Sequence, residues 1–148
     1  MSQLAIAIRI AVEAHDGQKD KAGKPYILHP LKVMHYCKTD DEEIMAIAVL
    51  HDSVEDNKNI TYRYLMEEGL SLRVIEGVAA LTKLPGEDYE SYKNKVKKNP
   101  DAIKVKMADL RHNSDIRRLK GITQKDIDRV VKYQQFYMEL LQFCEETK

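Results

Sequence analysis

Helix signals run through this chain from end to end while strand signals are nearly absent, and that contrast limits the fold more than any other feature. No clear run alternates apolar with polar residues, and no Asn-Gly or Asp-Gly hairpin turn occurs. The segment LAIAIRIAVEAH, Leu4 to His15, is apolar on most sides, as expected of a helix in the middle of a bundle. Gly17, Gly23 and Pro25 then mark an irregular, strongly basic loop, GQKDKAGKPY. The next helix begins after His29 with Pro30 in its first turn, and it buries Leu31, Val33, Met34 and Cys37. Asp40, with Glu43 three residues on, predicts a capping box for EEIMAIAVLHD.

Thr61 predicts the cap of a short helix ended by Gly69, and Ser71 that of LRVIEGVAALTK. LPGED reads as a loop and YESYKNKVKK as a polar, solvated helix. Asn99-Pro100 supplies a cap followed by proline at the first helical position. From there AIKVKMADLRHNSDIRRL reads as helix up to Gly121, and Thr123 with Asp126 opens the last helix. Ile127, Val130, Val131, Gln134, Tyr137, Met138, Leu141 and Cys144 form one face of it, predicted to dock on the bundle. The expected architecture is an all-α bundle of seven or eight helices in one domain, residues 1–148, long enough to bury a core without disulfides.

Lys plus Arg and Asp plus Glu are equal at 24 each, so net charge gives no reason to expect nucleic acid or an anionic membrane as partner. Recognition of a charged ligand must therefore be local. No apolar stretch approaches the ~20 residues of a membrane span. Cys37 and Cys144 form no C-x-x-C pair, and with no signal-peptide pattern they point to a soluble protein of the reducing cytoplasm. Both cysteines read as small buried apolar residues.

No Gly-rich phosphate loop and no G-x-S-x-G elbow occurs, so histidine and carboxylate are left to carry chemistry. LHDSVEDN, residues 50 to 57, places His51, Asp52, Glu55 and Asp56 directly after an apolar run. At a helix end, adjacent His51 and Asp52 can straddle an ion, and imidazole with carboxylate suits Mn, Fe, Co or Zn. Two ligands are too few; His29 and Asp109 are the candidates for the others. Asp109, His112, Asn113 and Ile116 share one helical stripe, which reads either as a solvated face or as part of a site. Asp52, Glu55 and Asp56, at i, i+3 and i+4, repel one another unless a cation neutralises them. His112 is a supporting or structural residue, His35 a core or boundary histidine, and Lys104, Lys106, Arg111, Arg117 and Arg118 read as surface charge.

In order, AHDGQKDKAGKPYILHP, AVLHDSVEDN, ALTKLPGEDYESY and VKMADLRHNSDIRRL resemble motifs of the HD-domain metal-dependent phosphohydrolases. Within that group they resemble the hydrolase domain of the RelA/SpoT family and its small stand-alone relatives. The resemblance implies a cytoplasmic 3′-pyrophosphohydrolase of guanosine tetra- or pentaphosphate. It implies that His29, His51, Asp52 and Asp109 hold one divalent metal, most often manganese, with iron, cobalt, zinc and magnesium as alternatives. Glu55 and Asp56 match the pair that handles the attacking water. Asn113 and the basic-loop residues Lys19, Lys21 and Lys24 match the substrate-binding region, with Lys104 and Lys106 as further phosphate candidates. Where the family carries an arginine pair this loop has Lys19-Asp20, a change that bears on base recognition more than on hydrolysis. Leu110-Arg111 also inverts the usual Arg-Leu order. Neither nucleotide synthesis, nucleic acid nor a membrane is expected, and the state is monomer or homodimer. The alternatives are hydrolysis of another nucleotide or phosphate ester, or a catalytically idle nucleotide-binding domain.

Overall fold

Side-chain caps start most of the helices. Ser2, Asp41, Thr61, Ser71, Asp88, Asn99 and Thr123 each accept a backbone N–H of the turn that follows, satisfying donors that a helix start otherwise leaves bare. The computed structural model describes residues 1–148. Its helices are α1 (Gln3–Ala14), α2 (Leu28–Tyr36), α3 (Glu42–Leu50), the single turn α4 (Ser53–Asp56), α5 (Tyr62–Glu67), α6 (Leu72–Leu81), α7 (Tyr89–Lys97), α8 (Pro100–Asn113) and α9 (Gln124–Glu146). A 3-10 turn spans Ile116–Arg118, and the only extended pairing is one isolated bridge between Lys19 and Pro25. The chain is thus all-α, and no helix is long and apolar enough to cross a membrane.

The short helix α3 lies at the centre. Ile44 and the whole run Ala46 to Leu50 are buried, because α1, α2, α6 and α8 pack around it. This explains why its apolar residues cover every side. Gly77 of α6 lies directly against Ile47 of α3: a Cβ there would lie 2.8 Å from Ile47 Cγ1 and nearer still to Cδ1. Gly77→Ala is therefore expected to destabilise the fold by about 1–3 kcal/mol, the usual range for overpacking, despite alanine's better helix propensity. Urea unfolding of the two proteins checks it; an unchanged or raised midpoint would show that Ile47 repacks freely.

Several details differ from expectation. The α3 cap is Asp41 and not Asp40: its carboxylate accepts from Glu43 and Ile44 N–H and also from Arg73. Helix α7 is not solvated all round, since Tyr92, Lys93 and Val96 are buried against α6, α8 and α9. Helix α8 stops at Asn113, and Ser114 ends it well short of Gly121. On α9 the packed side is turned toward the aromatics: Phe136 and Leu140 are buried, while Ile127, Val131 and Met138 are about half exposed and Gln134 faces solvent. His35 is exposed, and Ser53 is fully buried where Val54 is only partly so. Both cysteines are free thiols, Cys37 buried and Cys144 half-buried.

Candidate metal centre and adjoining cavities

The chain breaks between two helices at His51 and Asp52. His51 closes α3 and Asp52 precedes α4, so residues that would diverge within one helix turn to the same side. His51 Nε2 lies 3.0 Å from Asp52 Oδ2 and 3.2 Å from Asp109 Oδ1, and His29 Nε2 lies 2.9 Å from the same Asp109 oxygen. One ligand atom from each of His29, His51, Asp52 and Asp109 falls within 4.8 Å of all the others. His29 comes from the first turn of α2 and Asp109 from α8, so four elements converge on one point.

Protonation states follow from the outer partners. His51 Nδ1 donates to the Ala48 carbonyl at 2.6 Å, which leaves Nε2 to present a lone pair toward the carboxylates. His29 Nδ1 lies 2.7 Å from His112 Nδ1, and one of the two must donate. Burial, followed by the charges of Arg118 and His29, pushes His112 down to about 4, so it is neutral near pH 7 and can accept. Donation from His29 Nδ1 to His112 leaves His29 Nε2 available to a cation at the carboxylates. Four lone-pair donors aimed at one spot repel unless a cation or proton lies between them, and two nitrogens with two carboxylate oxygens fit a divalent cation. The proton is held tightly in its absence: burial disfavours charged His51, but Asp52 and Asp109 outweigh it and hold His51 well above its ordinary range. Burial likewise opposes ionisation of Asp52, yet His51 draws it down to about 2.

Asp109 is the hub of the site. Its Oδ1 faces both imidazoles and accepts from Asn113 Nδ2 at 3.1 Å, while Oδ2 accepts from Lys106 Nζ at 3.0 Å. Burial opposes its charge, but Lys106 and then His51 carry it well below the usual carboxylate range. Lys106 is thus no surface charge: it points inward beneath the rings of Tyr92 and Phe136, 5.3 and 5.9 Å from their centroids. Tyr26 donates to Asp52 Oδ2 at 2.6 Å.

Glu55 and Asp56 lie in the single turn α4 and not at the end of α3. Glu55 Oε1 accepts the Lys83 N–H at 2.9 Å, and Asp56 Oδ2 accepts from Gln18 Nε2 at 3.0 Å. Gln18 is itself held by buried His15, whose Nδ1 donates to Oε1 at 2.8 Å. Burial raises both acids above their ordinary values, and the charge of Asp52 adds to it. Such a pair binds a proton more readily than free carboxylates do.

Two cavities open beside this cluster. One of about 350 Å³ is lined by Lys19, Lys21, Tyr26, Asn113, Arg118 and Arg129 among others. The other, about 360 Å³, is lined by Lys24, Lys32, His29, His112 and Arg118 among others. The basic loop is therefore split, with Lys19 and Lys21 facing one cavity and Lys24 the other. Lys104 is exposed and lines neither. Sequence reasoning missed Tyr26, and it read Arg118 as surface charge and Lys106 as surface charge or a phosphate contact, whereas Lys106 lines neither cavity and pairs with Asp109. For Lys106 the usable signal was its position three residues before Asp109, on the stripe that continues to His112 and Asn113.

No protein-family model matches the chain. The chain is 38% identical over 82 residues to the chloroplastic protein RSH1 of Oryza sativa subsp. japonica, covering 53% of this chain and 9% of that protein. It is 35% identical over 126 residues to the bifunctional (p)ppGpp synthase/hydrolase SpoT of Escherichia coli strain K12, covering 76% of this chain and 18% of SpoT. It is 34% identical over 117 residues to the guanosine-3′,5′-bis(diphosphate) 3′-pyrophosphohydrolase of Aquifex aeolicus, covering 72% and 16%. The chain spans less than a fifth of the length of these curated relatives. An all-α fold enclosing two histidines and two aspartates in this arrangement is an HD-type domain with a candidate divalent-metal centre. More narrowly, the chain is a homologue of the SpoT/RelA-type (p)ppGpp pyrophosphohydrolases.

Proposed function

We propose that residues 1–148 form one phosphohydrolase domain that removes the 3′-pyrophosphate of guanosine-3′,5′-bis(diphosphate), adding water to give GDP and pyrophosphate. The observation that carries this reading is the convergence of His29, His51, Asp52 and Asp109 within 4.8 Å beside a cavity with basic walls. The similarity to proteins named for that reaction supports the choice of substrate. A divalent cation held by the four residues, with manganese as our choice, would supply positive charge against the phosphate and make water more acidic.

The chain's own groups account for the rest. Asp56 has Oδ1 free and Glu55 has Oε2 free, and these oxygens orient the attacking water and take its proton. Their raised proton affinity suits that role near neutral pH. Lys19 and Lys21 draw the phosphates into the first cavity, and Asn113 holds Asp109 while facing the same space. Lys24, on the wall of the second cavity, gathers phosphate there. The domain works in the cytoplasm.

Pyrophosphate release from guanosine tetraphosphate with manganese tests the proposal, run beside a panel of other nucleotides and phosphate esters. Glu55→Gln is expected to slow turnover by roughly 10²–10⁴-fold, the usual contribution of a general base, with metal content and melting temperature retained. Cleavage of another member of the panel with guanosine tetraphosphate untouched would transfer the reading to that substrate. No turnover of any compound by metal-loaded protein would leave a nucleotide-binding domain.

A further inference from the structure

We propose that Asp20 determines which phosphate compounds enter the cavities, by placing a carboxylate against Arg118 in the wall that the two cavities share. The inference rests on the hydrolase reading for its substrate class, but on different residues. Asp20 and Arg118 line both cavities. Arg118 is fixed in that wall, because its Nη1 donates to the His112 carbonyl at 3.1 Å and to Asn113 Oδ1 at 3.3 Å. Its Nη2 is turned toward Asp20 Oδ2, 3.8 Å away.

The two oxygens of Asp20 have separate surroundings. Oδ1 closes the basic loop by accepting the N–H groups of Ala22 and Lys24, each at 2.9 Å. An asparagine oxygen would do the same. Oδ2 accepts no hydrogen bond, so the negative charge is not needed for the loop and acts toward Arg118 and whatever occupies the cavities. Arg129, in the first cavity, is likewise neutralised by Asp126. Lys19 and Lys21 are left as that cavity's cations outside any ion pair.

A phosphate reaching the shared wall meets a guanidinium that already has a carboxylate 3.8 Å away, and that carboxylate carries the phosphate's own sign. Asp20 therefore penalises each additional phosphate placed there. A hydroxyl or amine donor on the ligand, by contrast, finds an acceptor in Oδ2. The carboxylate selects by charge and leaves the loop's shape to Oδ1.

The test is binding of inorganic pyrophosphate, GDP and GTP to the full chain by calorimetry, at two ionic strengths and without turnover. Asp20→Asn is expected to tighten pyrophosphate by about fivefold, the scale of a partly exposed charge pair, with a smaller gain at high salt. GTP should gain more than GDP. The gain should vanish when Asp20→Asn is combined with Arg118→Gln. Unchanged affinity in Asp20→Asn, a gain that survives the loss of Arg118, or no pyrophosphate binding by either protein would each overturn the proposal. The expected pattern in a protein that fails to cleave guanosine tetraphosphate would instead sink the hydrolase reading alone.

Discussion

Asp109→Asn is expected to lower pyrophosphate release from guanosine tetraphosphate by roughly three orders of magnitude, the scale on which loss of a preorganised charge or metal-held oxygen acts. It is also expected to strip the protein of divalent metal on dialysis. No other side chain of the cluster is held from so many sides: His29, His51, Lys106 and Asn113 all reach its carboxylate. An amide keeps the shape but presents an N–H₂ to one side of a site built from donors of lone pairs. It also leaves the largely buried Lys106 without its carboxylate. Metal content by elemental analysis, measured beside turnover, separates the two outcomes. An Asp109→Asn protein that retains both metal and activity would remove Asp109 from the site.

The residue pattern alone named His51 and Asp52 with His29 and Asp109 as candidates and left Asp109 open between a solvated face and a site, because a single carboxylate on a helix is usually solvated. The resemblance in motif order is what joined the four into one proposed set. Their mutual distances were not legible, since they depend on how α2, α3 and α8 cross. Lys106 shows the limit well. A lysine three residues before an acid has the spacing of an ordinary surface pair, and only the packing of Tyr92 from α7 and Phe136 from α9 over it makes it interior. The same two rings explain α9. A count of aliphatic residues favours the Ile127, Val131 and Met138 side, but the aromatic side is the one that fits against α7 and α8. The α3 cap failed for a smaller reason: Asp40 and Asp41 are adjacent acids, and which one turns its carboxylate to the helix is decided in part by Arg73 arriving from α6.

Placing a lysine beneath the site has an energetic consequence that metal ligands alone would not produce. Asp109 is buried and Lys106 largely so, and breaking a buried pair from one side costs up to about 3–5 kcal/mol because the remaining charge has no partner. Lys106→Met, which keeps the length and packs against Tyr92 and Phe136, is therefore expected to lower unfolding stability by that amount in metal-free protein. With metal bound, Asp109 has a second cation to face, and the loss should be smaller. The pH dependence has a definite sign. Asp109 ionises in the fold well below its ordinary value of 3.8, so its stabilisation is present above that value and is lost as pH falls through the lower, folded one. Lys106→Met removes the largest cause of the depression. The gap between variant and native protein should be full at neutral pH and should narrow below about pH 4, where the carboxylate takes up a proton. Combining Lys106→Met with Asp109→Asn leaves no ion unpaired and should recover most of the stability without recovering the metal. Urea midpoints for the four proteins, with and without chelator, read all of this. A Lys106→Met protein as stable as the native one, within about 0.5 kcal/mol, would show that water and not Lys106 sustains the charge on Asp109.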